Sequence, residues 1–154
     1  MWPKAPAQRA PEPRLQSLAL YGLFMEISVH DNLLLSYVVD AQNREIHLHT
    51  QYPYGATPEQ TDIVFAGVVA YDFEADNLMS ILFDVEETTL EAIYEQHQAR
   101  FERLRNYGWP TVNCGEKDEM LRAMHAQNIK GFEITSSLGL EGWVWAKSLE
   151  KRVK

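Results

Sequence analysis

Residues 33–52 have the sequence LLLSYVVDAQNREIHLHTQY, and this stretch sets the framework of the predicted fold. Leu33–Val39 is apolar on both faces, which is typical of a buried strand. Along Glu45–Tyr52, polar and apolar side chains alternate, so one face is predicted to meet a core and the other solvent. The tetrad Ala41–Arg44 between them is polar, and Asn43 is the residue best suited to a positive φ there. The stretch therefore predicts an antiparallel hairpin with a four-residue loop.

Four more segments have strand character. Ile63–Phe73 (IVFAGVVAYDF) is rich in β-branched and aromatic residues, so it predicts one central strand. Gly67 within it indicates a bulge or a close approach of another backbone. Asn77–Val85 fits either a strand or a helix. Ile129–Ser136 and Leu140–Lys147 predict a closing hairpin.

Two helices are predicted between these strand groups. Thr89–Tyr107 carries one apolar helical stripe, with a capping box that begins at Thr88 and a stop at Gly108. A second helix is predicted over 115–127, with Asn113 as its cap and with Met120, Leu121 and Met124 facing inward. We therefore expect an α+β fold, in which two helices pack on one face of an antiparallel sheet.

The length of 154 residues suits a single domain, predicted over 17–150. Residues 1–16 contain four prolines and no apolar run, which predicts a flexible arm. Cys114 is the only cysteine, so an internal disulfide framework is excluded and a reducing, cytoplasmic location is expected. No run approaches the roughly 20 apolar residues that a membrane span needs.

Acidic residues are concentrated in the segment from Asp31 to Glu95. It contains 13 of the 22 carboxylates and, in Arg44, one of the 14 lysines and arginines, while the whole chain has a net charge of −8. Such a field repels nucleic acid and anionic membranes and attracts a basic partner or a cation. We expect no nucleic-acid or membrane binding and a basic protein as partner.

The predicted partner site combines part of this acidic segment with an aromatic pair. Glu45, Asp72, Glu74 and Asp76 are expected to share an acidic surface on the sheet. Trp143 and Trp145 would lie on one face of the last strand. Such a pair can bind sugars or bases, can anchor an interface, or can pack under a helix as core.

His47 and His49 form a second pattern that can support chemistry. On one face of a strand their imidazoles would be about 7 Å apart, close enough to share a zinc ion with a carboxylate. No third ligand follows at a fixed spacing, so no metal or other cofactor is expected. Cys114 precedes a predicted helix N-terminus, where a thiol pKa falls, but its surroundings match no known cysteine-hydrolase signature.

The stretch HDNLLLSYVVD at 30–40, followed by VFAGV at 64–68, resembles the opening of small bacterial proteins of unknown function, some of them grouped as immunity proteins of polymorphic toxin systems. The resemblance brings no catalytic residues and implies a small acidic binder that blocks a basic toxin. The leading interpretation is therefore a non-enzymatic binding protein. A metal-dependent or small-molecule enzyme using His47 and His49, and a homo-oligomeric structural protein, are the alternatives.

Overall fold

The computed structural model describes residues 26–112 and 114–154. The predicted arm at 1–16 and the predicted cap Asn113 lie outside them. The described residues form eight strands, three α-helices and one short 3-10 helix (Arg105–Tyr107). The strands are β1 (Leu33–Asp40), β2 (Glu45–Tyr52), β3 (Glu59–Ala66), β4 (Ala70–Glu74), β5 (Ile81–Thr88), β6 (Lys130–Leu138), β7 (Glu141–Ala146) and β8 (Ser148–Val153). The helices are α1 (Leu90–Gln96), α2 (Gln98–Leu104) and α3 (Lys117–Ala126).

All eight strands belong to one antiparallel sheet, in the order β4-β7-β6-β5-β1-β2-β3-β8. The predicted α+β class and the antiparallel sheet are thus confirmed. Among the described residues, the longest helix has ten residues, and none is long and apolar enough to cross a membrane.

The predicted β1–β2 hairpin is confirmed, with Asp40 opposite Glu45 next to the four-residue loop. The positive φ, however, falls on Arg44 (56°) and not on Asn43. Asn43 instead donates two hydrogen bonds to the Asp40 carboxylate, from its backbone N–H at 2.9 Å and from Nδ2 at 2.7 Å. This local side-chain capping fixes the loop and leaves the left-handed position to the next residue.

The prediction of one strand over Ile63–Phe73 is wrong. The chain turns at Gly67 (φ 65°), so β3 and β4 belong to opposite halves of the sheet order. A second corner lies beside it at Lys147, between β7 and the unpredicted strand β8. The Lys147 N–H donates to the Ala66 carbonyl at 3.0 Å, and a Cβ on Gly67 would lie 2.8 Å from the Lys147 Cγ. The atoms closest to Gly67 thus belong to the Lys147 side chain, while the backbone contact is made by the neighbouring Ala66, and the two ends of the sheet meet there.

Two apolar cores result from this curling. The inner core joins Leu48 and Phe65 of one part of the sheet to Phe132 and Val144 of the other. The outer core joins Trp143 and Trp145 of β7 and Ala70 of β4 to helical side chains, including Ile93, Phe101 and Met124. Strand β7 is therefore buried on both faces.

The helices differ from their predicted bounds. The predicted helix Thr89–Tyr107 is interrupted at His97, and Thr89 is its N-cap in place of Thr88, accepting from the Ala92 N–H at 3.0 Å. Gly108 ends the segment in the left-handed conformation, as predicted. The last helix begins at Lys117 with Glu116 as N-cap, two residues later than the predicted start at 115. Its predicted inward residues, Met120, Leu121 and Met124, are buried.

Candidate functional site

A cleft of about 620 Å³ opens between the loop end of the β1–β2 hairpin and strand β4. One wall comes from β1, the hairpin loop and the start of β2, the other from residues 68–73, and Trp109 and Pro110 lie at one end. Its titratable and aromatic lining residues are Tyr37, Asp40, Arg44, Glu45, Tyr71, Asp72, Phe73 and Trp109. We call this site the acidic cleft.

Asp40 and Glu45 are opposite each other where the hairpin closes. Like charges directly across a sheet destabilise it, so their presence needs compensation. The two hydrogen bonds from Asn43 compensate the charge of Asp40 and hold the pKa of that carboxyl below its usual value. Glu45 is compensated by His47, whose Nε2 lies 2.7 Å from Glu45 Oε2. The loop end therefore keeps two acidic groups side by side on one wall of the cleft.

Asp72 lines the opposite wall but is already paired. Its side chain is 9 % exposed, and Arg100 of α2 holds it through Nε–Oδ2 at 2.6 Å and Nη2–Oδ1 at 3.0 Å. The Arg100 guanidinium also lies over the Trp109 ring, 5.4 Å from its centroid. Asp72 thus joins a helix to β4, and its charge is matched inside the protein.

Aromatic rings line the space between the two walls. Tyr37 of β1 meets Phe73 of β4 edge to face at 5.4 Å, and Phe73 meets Tyr71 at 5.1 Å. The Tyr37 hydroxyl donates to Asp76 Oδ2 at 2.8 Å, and this bond is the main cause that raises the pKa of Tyr37. This hydrogen bond holds Asp76, one of the predicted site residues, at the edge of the acidic cleft. Glu74, also exposed, ends β4, is not among the residues that line the cleft, and has no ion-pair partner among the described residues.

Arg44 is the one lysine or arginine that lines the cleft within the described residues. Its Nε donates to the Val68 carbonyl at 3.0 Å, and its own carbonyl accepts from the Val68 N–H. It lies where the cleft meets a second cavity of about 380 Å³, which Cys114 and Met124 help to line. The Cys114 thiol is buried and donates to the Trp109 carbonyl at 3.5 Å, and no side-chain base contacts it in the described part of the chain.

Trp143 and Trp145 share one face of β7, as predicted, but they are 1 % and 0 % exposed. Phe101 of α2 stacks on both rings, at 5.3 and 5.4 Å. Neither indole is accessible to a partner, so their assignment as partner contacts is wrong, and they pack under the helices as core.

His47 and His49 lie side by side on the outer face of β2, with ring centroids 6.3 Å apart. Each has its own carboxylate, since His49 Nδ1 lies 2.9 Å from Asp62 Oδ1 while His47 meets Glu45. In 26–112 and 114–154, no three side chains of the metal-binding types converge. The metal-dependent alternative therefore remains a prediction without a donor set.

The structure brings Glu45 and Asp72 to one cleft and links Asp76 to it through Tyr37. Among the lining residues, sequence reasoning missed Asp40, Arg44, Tyr37, Tyr71 and Trp109. Because side chains alternate along a strand, the sequence of β1 could have placed Tyr37 on one face with Val39. No sequence pattern indicates a role for Trp109, which follows Gly108 in an irregular segment.

No protein-family model matches the chain, and the search of curated proteins finds no match either.

Proposed function

We propose that this protein is a non-enzymatic binding protein that holds a basic segment of a protein partner in the acidic cleft. The observation that supports it is the pairing of two acidic groups, Asp40 and Glu45, with the rings of Tyr37, Tyr71 and Trp109 around one open space. The resemblance to immunity proteins implies the same kind of partner, a basic toxin.

This lining suits a lysine or arginine side chain in two ways. Carboxylates accept charge-assisted hydrogen bonds from a guanidinium or ammonium group, and aromatic faces attract the same cations by about 0.5–2 kcal/mol. The cleft volume lies within the range of ligand sites, about 300–1,000 Å³, so it is large enough to take part of a peptide segment. Asp72 contributes little direct attraction because Arg100 already neutralises it.

The wider charge distribution supports the same partner. With a net charge of −8, the protein attracts basic molecules over distance and disfavours nucleic acid and anionic membranes. A cytoplasmic location belongs to this proposal, as does a layer of helices on one face of the sheet.

The test uses two tripeptides, glycine–arginine–glycine and the same peptide with citrulline, which has arginine's shape without its charge. Calorimetric or NMR titration at low ionic strength should show saturable binding of the arginine peptide and at least tenfold weaker binding of the citrulline peptide. Binding of the arginine peptide should weaken further as salt is added, because screening shortens the reach of the carboxylates.

Glu45→Gln should reduce affinity for the arginine peptide about tenfold, since it removes one of the two adjacent charges. The matched control is Glu95→Gln, which makes the same change at an exposed position on α1 outside the cleft. Equal binding of both tripeptides, or equal effects of both substitutions, would contradict the proposal.

A further inference from the structure

Along most of its length, strand β1 has one edge that pairs with no other strand. On the side away from β2, it pairs with β5 only where Leu33 is opposite Ile81, and the Leu34 N–H then donates to the Ser80 carbonyl at 3.0 Å. Beyond that point, within the described residues, the backbone of Leu35–Asp40 hydrogen-bonds to β2 alone. The edge therefore opens at the point where β5 leaves β1.

The register shows which backbone groups face this opening. Leu34 donates away from β2, so its partner Thr50 directs its own backbone groups to β3. Because these directions alternate along a strand, His49, His47 and Glu45 bond to β1, where they meet Ser36, Val38 and Asp40. The residues in between, Tyr37 and Val39, direct their N–H and carbonyl groups into the opening. Both also line the acidic cleft.

Apart from a β-bulge between Leu34 and Ser36, this edge lacks the features that protect an exposed strand. The outer strand β8 carries Glu150, Lys151 and Arg152, and the Lys151 side chain points inward and is 8 % exposed. Inward and edge charges of this kind prevent the addition of another strand. In β1 no charged residue occurs before Asp40, while Leu35 and Val38 are each 51 % exposed.

We propose that the partner adds an extended basic strand to this edge of β1, so that alternate side chains of the added strand enter the acidic cleft. This inference rests on the proposed function and gives it a binding mode. In strand addition the backbone supplies affinity and alternate side chains supply specificity. Tyr37 and Val39 offer the backbone groups, and Asp40 and Glu45 receive the lysine or arginine side chains.

Charge decides between a basic segment and a second copy of this chain. Two copies joined at β1 would each carry Asp40, Glu45 and Asp76 beside the interface, on molecules with a net charge of −8 each. Like charges at such an interface oppose association. A segment that alternates apolar and basic residues matches both the apolar edge and the acidic cleft.

The experiment uses a capped six-residue peptide that alternates valine and arginine, and an analogue N-methylated at every backbone amide. The analogue keeps the arginines but cannot donate to the edge. We expect the plain peptide to bind at least tenfold more tightly than glycine–arginine–glycine, and the analogue to lose that gain. Hydrogen exchange at the Tyr37 and Val39 amides should slow only with the plain peptide.

A pair of variants tests the same edge from the protein's side. Val39→Pro removes an N–H that faces the opening, without removing a bond to β2, whereas Val39→Ala keeps it. The proline variant should bind the hexapeptide at least tenfold more weakly than the alanine variant. If it does not fold, the N-methylated analogue and hydrogen exchange decide the question.

Equal affinity of the hexapeptide and its methylated analogue, or unchanged exchange at Tyr37 and Val39, would overturn strand addition even if the tripeptide test succeeds. Failure of the tripeptide test alone would instead overturn the cleft as a cation site. Dimerisation in sedimentation equilibrium that Val39→Pro abolishes would assign the edge to a second copy and also overturn the inference.

Discussion

The two parts of the sheet differ in what lies against their outer faces. In the covered half (β4, β7, β6 and β5), the outer face of β7 meets the helices, so Trp143 and Trp145 are as buried as Val144 behind them. In the open half (β1, β2, β3 and β8), the outer face of β2 carries the partly exposed His47 and His49. In both strands successive side chains point to opposite faces, but β2 alternates between half-buried and buried residues as far as Thr50, whereas β7 is buried on both faces from Trp143 to Ala146. Alternation thus fixes which residues share a face, while the type of residue on the second face reveals whether another layer covers it.

The acidic cleft lies where these halves separate, with one wall from β1 and β2 and the other from β4. Each wall contains a carboxylate with a different environment. Asp72, on the covered half, is held under a helix by Arg100, whereas Glu45, on the open half, keeps a side-chain exposure of 39 %. The open half therefore supplies the acidic groups that a partner can reach.

The largest expected difference between the halves concerns stability. Trp145→Ala should lower the free energy of unfolding by about 3–5 kcal/mol, because it leaves a cavity between β7 and Phe101. His49→Ala, on the outer face of β2, should cost at most about 1 kcal/mol, since its contact with Asp62 is partly exposed. Urea unfolding monitored by circular dichroism measures both. Similar losses in the two variants would show that the outer face of β2 is also covered.

The second prediction concerns the ion pair of the covered half. Arg100→Met should cost about 1–3 kcal/mol, because it leaves the nearly buried Asp72 carboxylate without a partner. Arg103→Met, at an exposed position on the same helix, is the control and should cost less than about 0.5 kcal/mol.

Combining Asp72→Asn with Arg100→Met should recover at least half of the loss, since no buried charge then remains. A double variant as unstable as Arg100→Met alone would show that the arginine acts through packing on Trp109.

The smallest expected effect is a pH dependence in the open half. Burial alone would raise the pKa of Asp62, but hydrogen bonds from His49 and Lys154 outweigh it and hold that pKa below its usual value. A lowered pKa in the folded state stabilises the fold above the unfolded pKa of about 3.9, and this stabilisation is lost as pH falls through the folded pKa. Asp62→Asn should therefore lose stability less steeply than the unsubstituted protein between pH 5 and pH 2. If the free energies of unfolding of the two proteins, measured by urea unfolding, decrease in parallel over that range, the lowered pKa of Asp62 is contradicted.

Much of the local structure follows from sequence, because it rests on local rules. The β1–β2 hairpin, the stop at Gly108 and the buried methionines of α3 were predicted from alternation, turn chemistry and helical spacing. The corner at Gly67 was not, because β-branched residues continue on both sides of it and only the distant Lys147 reveals the turn. Strand β8 was missed because its charged sequence, SLEKRV, lacks an apolar run.

The prediction of the site from sequence has the same limit, because it depends on contacts between distant parts of the chain. The acidic groups Glu45 and Asp72 were identified from charge, but their convergence depends on the curling of the sheet, which brings β4 back to the β1–β2 hairpin. The accessible site also includes Tyr37 and Tyr71, whose aromatic side chains are equally common in cores. Their role follows only from the tertiary structure.

The pairing of β3 with β8 also bears on how the protein is made. Strand β3 receives its second neighbour from residues 148–153, and β4 receives its neighbour from residues 141–146. During synthesis, the meander of β1, β2 and β3 emerges from the ribosome long before β7 and β8. Until then, Ile63 and Phe65 are not covered by the rest of the inner core. Contacts so distant in sequence form slowly, and the uncovered apolar surface favours aggregation. We therefore expect the nascent chain to depend on chaperones until its last strands have been translated.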